Sequence, residues 1–319
     1  MAQTFPLSVE QDLTVNQGAI EDFYLAVVRH HQIKHSPELT LSAIELRPDN
    51  YERTLVIVPG RAETEHKYAE FLYSMRNLPY RIVITFVRGQ GDSTKTIPGT
   101  LKCHIDDFNL YRHDVEFILE ELSIKDYSLM GFSLGGLIST DLYVYGTHKP
   151  KRMALIAPYF WPAFNLPEPI LRALVKIVGA LPYFKTCYTP HGREYQKVPF
   201  EENVHSHSKV RYEFYHDYYA AHPDKALAGP TYGFVREALL KQLQLRRSKF
   251  EFTIPVLCAS AGEDHIVSTP HCAALMQAHA RDEIPPQYVR ISNAYHDILN
   301  EIDAYRNPIL SRALSFLLN

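Results

Sequence analysis

The sequence predicts an α/β fold in which helices cover both faces of a mainly parallel β-sheet. Short apolar runs alternate with segments of helical spacing, and the connections between them are short. Most of the apolar runs are continuous, which is typical of strands buried on both faces of a parallel sheet. The alternation stops near Pro158 and resumes at Ile254, which indicates an α/β domain with an insertion.

The individual elements follow from hydrophobic periodicity. After a short helix at residues 20–30, strands are predicted where β-branched and other apolar residues cluster, at residues 39–46, 53–58, 81–87, 127–130, 151–157, 254–260 and 287–291. Helices are predicted where apolar residues recur every three or four positions, at residues 64–77, 105–122, 137–145, 270–279 and 308–318. The pairs Pro59-Gly60 and Arg88-Gly89 end two of the strands.

The insertion divides the chain into three parts. Residues 1–157 are predicted to form the first part of the core, residues 158–236 a helical cap, and residues 237–319 the rest of the core. Within the cap, residues 166–184 are strongly apolar with two basic residues, which fits an acyl-chain wall, a membrane-surface helix or ordinary packing. The aromatic run at residues 212–219 fits either core packing or the lining of a pocket.

The composition narrows the function classes. The chain has 319 residues and a net charge of −3, so nothing suggests a nucleic-acid partner. Its four cysteines are scattered without a CxxC pair, which argues against a disulfide framework or a zinc site and suits a reducing compartment. The first residues lack the pattern of a signal peptide, and no apolar run is long enough for a transmembrane helix.

The motif Gly131-x-Ser133-x-Gly135 follows a predicted strand and precedes a predicted helix. That context is the one required for a nucleophile elbow, a strained turn that lifts a serine Oγ clear of the sheet. The glycines allow strand and helix to pack closely, and the helix N-terminus directs N–H groups and partial positive charge at the site. We predict that Ser133 is a nucleophile; the alternative is a structural serine in a glycine-rich turn.

An elbow serine needs an acid and a base, which follow it in that order along the chain. Asp264 follows the strand at 254–260, at the edge of a parallel sheet where ligand sites lie. His296 follows the last strand. We predict that His296 accepts the proton of Ser133 and returns it to the leaving group, while Asp264 orients the imidazole. The less well placed alternatives are Glu263, His265 and His271.

An oxyanion hole needs two backbone donors, one after the nucleophile and one in the loop after an early strand. The predicted donors are the N–H groups of Leu134 and Arg61, with Gly60 allowing close approach of the backbone. The side chain of Arg61 suits either a phosphate or an ordinary ion pair. The pair His205-x-His207 is spaced like metal ligands, but no carboxylate or cysteine is placed to complete a site.

Four motifs stand in order along the chain. They are PGRAE at 59–63, VRGQGDS at 87–93, GFSLGG at 131–136, and the pair AGED at 261–264 with YHDILNE at 295–301. Together they resemble the α/β-hydrolase superfamily, and within it the serine hydrolases that include monoglyceride lipases and, most similar, the bacterial lysophospholipase L2 family. The similarity covers nearly the whole chain, including GPTYGF at 229–234. Pro59 stands where the superfamily often has histidine, which leaves the backbone donor unchanged.

This resemblance implies cleavage of the single acyl ester of a lysophospholipid, without metal or organic cofactor. It also implies a bacterial protein of the cytoplasm, or one attached peripherally to the inner membrane through the cap. Alternatives are a monoacylglycerol lipase or carboxylesterase, a proline-type peptidase with Glu201-Glu202 in its cap, or a hydrolase-like scaffold that only binds lipid or protein. The complete set of catalytic residue types argues against the scaffold.

Overall fold

A computed structural model describes residues 5–163, 181–190 and 192–319, together with positions 169, 170, 173 and 177. Its strands are β1 (Arg29–Ser36), β2 (Leu39–Leu46), β3 (Arg53–Val58), β4 (Tyr80–Phe86), β5 (Ser128–Phe132), β6 (Met153–Ile156), β7 (Val256–Ala261) and β8 (Gln287–Ile291). They form one sheet in the order β1-β2-β4-β3-β5-β6-β7-β8. The β1–β2 and β2–β4 pairs are antiparallel, and all other pairs are parallel.

The helices lie on both faces of this sheet. Those with described bounds are α1 (Glu10–Val15), α2 (Gln17–Val27), α3 (Ala69–Met75), α4 (Asn109–Glu121), α5 (Leu134–Tyr145), α6 (Pro182–Lys185), α7 (Lys209–Ala221), α8 (Tyr232–Arg247), α9 (Thr269–Ala278) and α10 (Asp303–Leu318). Short 3-10 turns occupy Glu65–Tyr68, Phe200–Glu202 and Ile298–Asn300. None of the helices in these described ranges is both long and apolar enough to cross a membrane.

The two faces of the sheet carry separate apolar layers. Along β3, Val56 and Val58 join the layer that contains α4, α5 and α9, while Leu55 and Ile57 join the layer that contains α2, α3 and α10. Because successive side chains of a strand point to opposite faces, a strand covered on both sides must be apolar throughout. The predicted α/β class and its mainly parallel sheet are therefore confirmed.

The prediction was wrong at two places near the ends of the chain. The predicted helix at 20–30 ends at Val27, and Arg29–Ser36 forms β1 instead. This edge strand buries only Ile33, so it lacks the apolar signal of a core strand. The last helix begins at Asp303 rather than at Pro308, which lies inside it. Proline is favoured in the first turn of a helix, whereas Pro308 is the sixth residue of this one.

The sheet order determines where the site lies. β3 stands between β4 and β5, so the strand that follows β3 in the chain lies on one side of it and β5, with the strands after it, lies on the other. The loops that follow β3 and β5 therefore diverge and leave a crevice at the carboxyl edge of the sheet. The predicted cap bounds, 158–236, stay a prediction; the described part of this segment contains α6 and α7, and α8 crosses its second bound.

Candidate active site

Ser133 occupies the turn between β5 and α5 with φ 50° and ψ −114°. This left-handed backbone conformation is strained for a residue with a Cβ atom. Neighbouring backbone holds it in place, because Ser133 N donates to Ile156 O at 3.0 Å and Ser133 O accepts from Tyr159 N at 2.9 Å. The strain is thus imposed by β6 and the segment that follows it.

The glycines on either side of Ser133 are required by close contacts. A Cβ atom on Gly135 would lie 1.9 Å from Val58 O, and one on Gly131 would lie 2.4 Å from Ser139 Oγ. Both distances are far below van der Waals contact, so a larger residue would force α5 away from the ends of β3 and β5. The glycine spacing seen in the sequence therefore brings the start of α5 close to the loop after β3.

Three predicted residues meet at the carboxyl edge of the sheet. His296 Nε2 lies 2.8 Å from Ser133 Oγ, and His296 Nδ1 lies 2.8 Å from Asp264 Oδ2. The other carboxylate oxygen of Asp264 accepts from Ile266 N and Val267 N, each at 2.8 Å. Since an ionised carboxylate cannot donate, Nδ1 of the neutral imidazole carries the proton and Nε2 is left to accept one from Ser133.

The alternative acid and bases lie apart from this contact. Glu263 is exposed, and its backbone N–H donates to Ala294 O. His271 contacts Ser268 Oγ at 2.7 Å and stacks on Trp161. His265 is exposed, with its ring edge against Tyr295. The geometry therefore favours Asp264 and His296 over each of the alternatives.

Among the described residues, neither predicted oxyanion N–H group has a hydrogen-bond acceptor. Gly60 N donates to Glu63 Oε2 at 2.6 Å and Ala62 N to Gln90 Oε1 at 2.9 Å. Between them, Arg61 N has no acceptor among the described residues. Leu134 N also has none there, because it begins α5 and the first N–H groups of a helix lack intrahelical partners. The pairing of Val58 with Gly131 brings the two loops side by side.

A buried lysine, which the sequence analysis did not identify, connects two of the site loops. Lys67 Nζ lies 2.7 Å from Glu63 Oε1 and 2.7 Å from Asp297 Oδ2. Burial opposes charge on Lys67, but the carboxylates of Asp297 and Glu63 raise its pKa well above the ordinary value. Burial alone would raise the pKa of Asp297, yet the ammonium group lowers it. Lys67 therefore links the loop of Arg61 to the residue that follows His296.

The cap also reaches the loop of His296. Asp297 N donates to His205 O at 2.8 Å. The buried carboxylate of Glu301 accepts from Tyr295 N at 2.8 Å and contacts His207 Nδ1 at 2.8 Å. The two histidines first considered as metal ligands thus attach the cap to this loop.

The aromatic run packs mainly inside the cap. Its buried tyrosines form a cluster with Ala226, and they are Tyr212, Tyr215 and Tyr219. One hydroxyl of this cluster forms a hydrogen bond outside the cap, since Tyr219 OH donates to Ala62 O at 2.9 Å. Most of the apolar stretch 166–184 lies outside the described residues. The apolar side chains described there are exposed, and they are Ile170, Ile177, Leu181, Tyr183 and Phe184.

Comparisons with known proteins agree with this architecture. The family model described as Serine aminopeptidase, S33, matches residues 49–303. Lysophospholipase L2 of Escherichia coli K12 is 29% identical over 286 residues, which cover 88% of this chain and 84% of that protein. Probable lysophospholipase L2 of Haemophilus influenzae is 28% identical over 281 residues, 85% of this chain and 86% of that protein.

Solved structures show the same fold at lower identity. A monoacylglycerol lipase from Paleococcus ferrophilus has a TM-score of 0.66 at 14% identity and covers 86% of this chain and 96% of its own. A soluble variant of monoglyceride lipase from Saccharomyces cerevisiae has a TM-score of 0.67 at 15% identity, with 91% and 94% covered. The chain therefore has the α/β-hydrolase fold and belongs to the S33 serine aminopeptidase family of hydrolases.

Proposed function

We propose that this protein is a serine hydrolase that cleaves the acyl ester of lysophospholipids through an acyl-enzyme on Ser133. The observation that carries the proposal is the pair of 2.8 Å contacts from Ser133 Oγ through His296 to Asp264. A serine hydroxyl has no reason to be held in a strained turn against an oriented imidazole unless it is to lose its proton. The N–H groups of Arg61 and Leu134, which have no acceptor among the described residues, add the second requirement of acyl transfer.

In the proposed acylation step, Ser133 Oγ attacks the ester carbonyl while His296 Nε2 takes the hydroxyl proton. Asp264 accepts a hydrogen bond from Nδ1 and stabilises the imidazolium that forms. The carbonyl oxygen becomes negative and is held by the N–H groups of Arg61 and Leu134. His296 then gives its proton to the glycerol oxygen, the alcohol leaves, and the acyl group stays on Ser133.

Deacylation repeats these roles with water as the nucleophile. His296 Nε2 removes a proton from the water, and the hydroxide adds to the acyl carbonyl. The resulting tetrahedral intermediate carries a negative oxygen, which the same two N–H groups hold. Collapse of this intermediate breaks the bond to Ser133 Oγ, which recovers its proton from His296. A fatty acid is released and the enzyme returns to its starting state. Each step uses groups of the chain itself and needs no further cofactor.

The lipid substrate class is proposed from the relatives and from the cap. The two relatives are named lysophospholipase L2 and probable lysophospholipase L2, and they align over most of this chain. The exposed apolar side chains at 170–184 suit contact with the acyl chains of a lipid surface. We place the protein in the cytoplasm, with peripheral contact to the inner membrane through this part of the cap. A monoacylglycerol lipase is the alternative that the experiment below distinguishes.

The test compares wild type with Ser133→Ala in fatty-acid release from lysophosphatidylcholine, lysophosphatidylethanolamine and monoacylglycerol of the same acyl chain. We expect release from both lysophospholipids, and a loss of at least ~10³-fold in the variant because the nucleophile is missing. The variant should keep the melting temperature of wild type. A wild-type preference for monoacylglycerol would favour the alternative function.

A second arm tests the mechanism without any choice of lipid. A fluorophosphonate probe should label wild type and fail to label Ser133→Ala. Lack of labelling in folded wild-type protein would contradict an activated serine and would favour a binding scaffold. Labelling without release from any of the three lipids would keep the mechanism and overturn the proposed substrate.

A further inference from the structure

The side chain of Arg61 is a second functional group on a residue already proposed as an oxyanion donor through its backbone. Arg61 follows β3 by three residues and is exposed. Its Nη1 donates to Ala228 O at 3.2 Å, which spans the gap between the loop and the cap segment. Burial raises the pKa of the Cys103 thiol to about 11, and the neighbouring Arg61 guanidinium opposes that rise. The guanidinium therefore lies between the oxyanion loop, the cap and Cys103.

The guanidinium of Arg61 forms no ion pair with a carboxylate among the described residues. Two other cations, in the segments after β3 and β4, are paired with carboxylates, Lys67 with Glu63 and Asp297, and Arg88 with Asp114. For Arg61, no carboxylate oxygen lies within 4 Å in the part of the chain that the structure describes. Among the described residues the hydrogen-bond partners of the Arg61 guanidinium are the Ala228 carbonyl and the Cys103 thiol, which leaves most of its five N–H donors available. Such a group beside a reactive centre is suited to an anionic part of the ligand.

The position of this charge matches the chemistry of a glycerophospholipid. In a lysophospholipid the phosphodiester is separated from the scissile carbonyl only by the glycerol backbone, a span comparable with the length of an arginine side chain. A single residue can therefore reach both ends of that span, the carbonyl oxygen with its backbone N–H and the phosphate with its guanidinium. A monoacylglycerol offers the carbonyl but has no anion for the side chain.

We propose that the Arg61 guanidinium binds the phosphodiester of the substrate and is the specificity-determining residue for lysophospholipids over monoacylglycerols. The inference rests on the proposed function, because it assigns part of that same site. The guanidinium takes no part in bond making or proton transfer. Its contribution is binding energy that only a phosphate-bearing substrate receives, and the planar fork of donors favours arginine over lysine.

The test measures kcat/KM for lysophosphatidylcholine and for monoacylglycerol of the same acyl chain in identical detergent micelles. The readout is the ratio of the two kcat/KM values. Damage to the oxyanion loop lowers both values equally and therefore leaves the ratio unchanged. We expect Arg61→Gln to lower this ratio by about 10- to 100-fold, as for loss of a hydrogen bond to a charged group. Arg61→Lys should fall between Arg61→Gln and wild type.

A matched control removes the same charge elsewhere. Arg47 is exposed and follows β2 at the opposite edge of the sheet, where β2 pairs with the start of β4. Arg47→Gln should leave the ratio within twofold of wild type, which excludes a general effect of net charge on micelle binding. An equal fall of the ratio in Arg47→Gln and Arg61→Gln would overturn the inference.

A second readout detects the phosphate contact without lysophospholipase turnover. Glycerophosphocholine should inhibit hydrolysis of p-nitrophenyl butyrate by wild type, with an inhibition constant at least tenfold weaker in Arg61→Gln. If wild type hydrolyses lysophospholipids but the ratio and the inhibition constant are unchanged in Arg61→Gln, only the inference on Arg61 fails. If wild type does not hydrolyse lysophospholipids and is not inhibited, the proposed function fails with it.

Discussion

Two regions meet at the candidate site, and they hold their side chains in different ways. At the carboxyl edge of the sheet, Ser133 and Asp264 are fixed by hydrogen bonds to nearby backbone, from β6 in one case and from Ile266 and Val267 in the other. The cap segment is attached to the core by backbone hydrogen bonds, such as Asp297 N to His205 O, and also by buried ion pairs between side chains from distant parts of the chain. The reacting groups are thus positioned by the ends of the strands, and the cap above them is held in part by buried ion pairs.

Arg211 illustrates the second kind of attachment. This residue of α7 is almost fully buried, and its guanidinium donates to Glu70 at 2.9 and 3.0 Å and to Asp303 Oδ1 at 2.8 Å. Burial alone would raise the pKa of Glu70, but Arg306 and Arg211 lower it. Removal of one partner of such a buried pair costs about 3–5 kcal/mol, because a charge is left uncompensated. Substitutions at the sheet edge should therefore lower the catalytic rate, whereas substitutions at these ion pairs should weaken the attachment of the cap to the core.

The largest expected effect is on the chemistry of the sheet edge. Asp264→Asn should lower kcat by roughly 10⁴-fold, because the amide neither stabilises the imidazolium nor requires the Nδ1–H tautomer of His296. The measurement is kcat on the preferred ester at saturating substrate. The matched control is Glu263→Gln, which removes the adjacent exposed carboxylate and should stay within twofold of wild type. Activity of Asp264→Asn within tenfold of wild type would show that the predicted acid is wrong.

The sequence indicated the sheet-edge residues because each follows a predictable strand. Ser133, Asp264 and His296 lie one, three and five residues after the ends of β5, β7 and β8, and β5 and β7 are buried along their whole length. Their roles stay predictions, but their positions required no knowledge of tertiary contacts. The Lys67–Asp297 pair joins residues 230 positions apart, and no local pattern reports such a contact. The edge strand β1 was not predicted because Ile33 is the one apolar residue in its sequence.

The second expected effect is at the junction between two site loops. Lys67→Met leaves Glu63 and Asp297 without their shared cation, so we expect kcat to fall by about 10²-fold through misplacement of the donor and base loops. Lys67→Arg should restore most of this activity. The stabilisation by the pair is complete above the ordinary pKa of an aspartate and is lost as pH falls through the lowered pKa of Asp297, so the variant should differ less from wild type in acid.

The rate of labelling of Ser133 by a fluorophosphonate separates placement from folding. It is measured well below the melting temperature of Lys67→Met, where the variant is folded. Slow labelling in the folded variant, with recovery in Lys67→Arg, would agree with a role in placing the loops. Labelling at the wild-type rate would show that Glu63 and Asp297 hold their loops without Lys67, and the lysine would then matter for stability alone.

The smallest expected effect tests whether the cap influences the oxyanion loop. Tyr219→Phe removes only the hydroxyl that donates to Ala62 O, while the ring keeps its place in the buried tyrosine cluster. We expect a loss of about 1 kcal/mol in the free energy of unfolding, the usual value of a single hydrogen bond, and a two- to fivefold fall in kcat. Tyr212→Phe is the matched control, since its hydroxyl donates to Val198 O within the cap segment. It should lose similar stability with unchanged kcat, because its bond does not touch the site. Equal kcat values in the two variants would mean that the sheet edge positions the oxyanion loop without help from the cap.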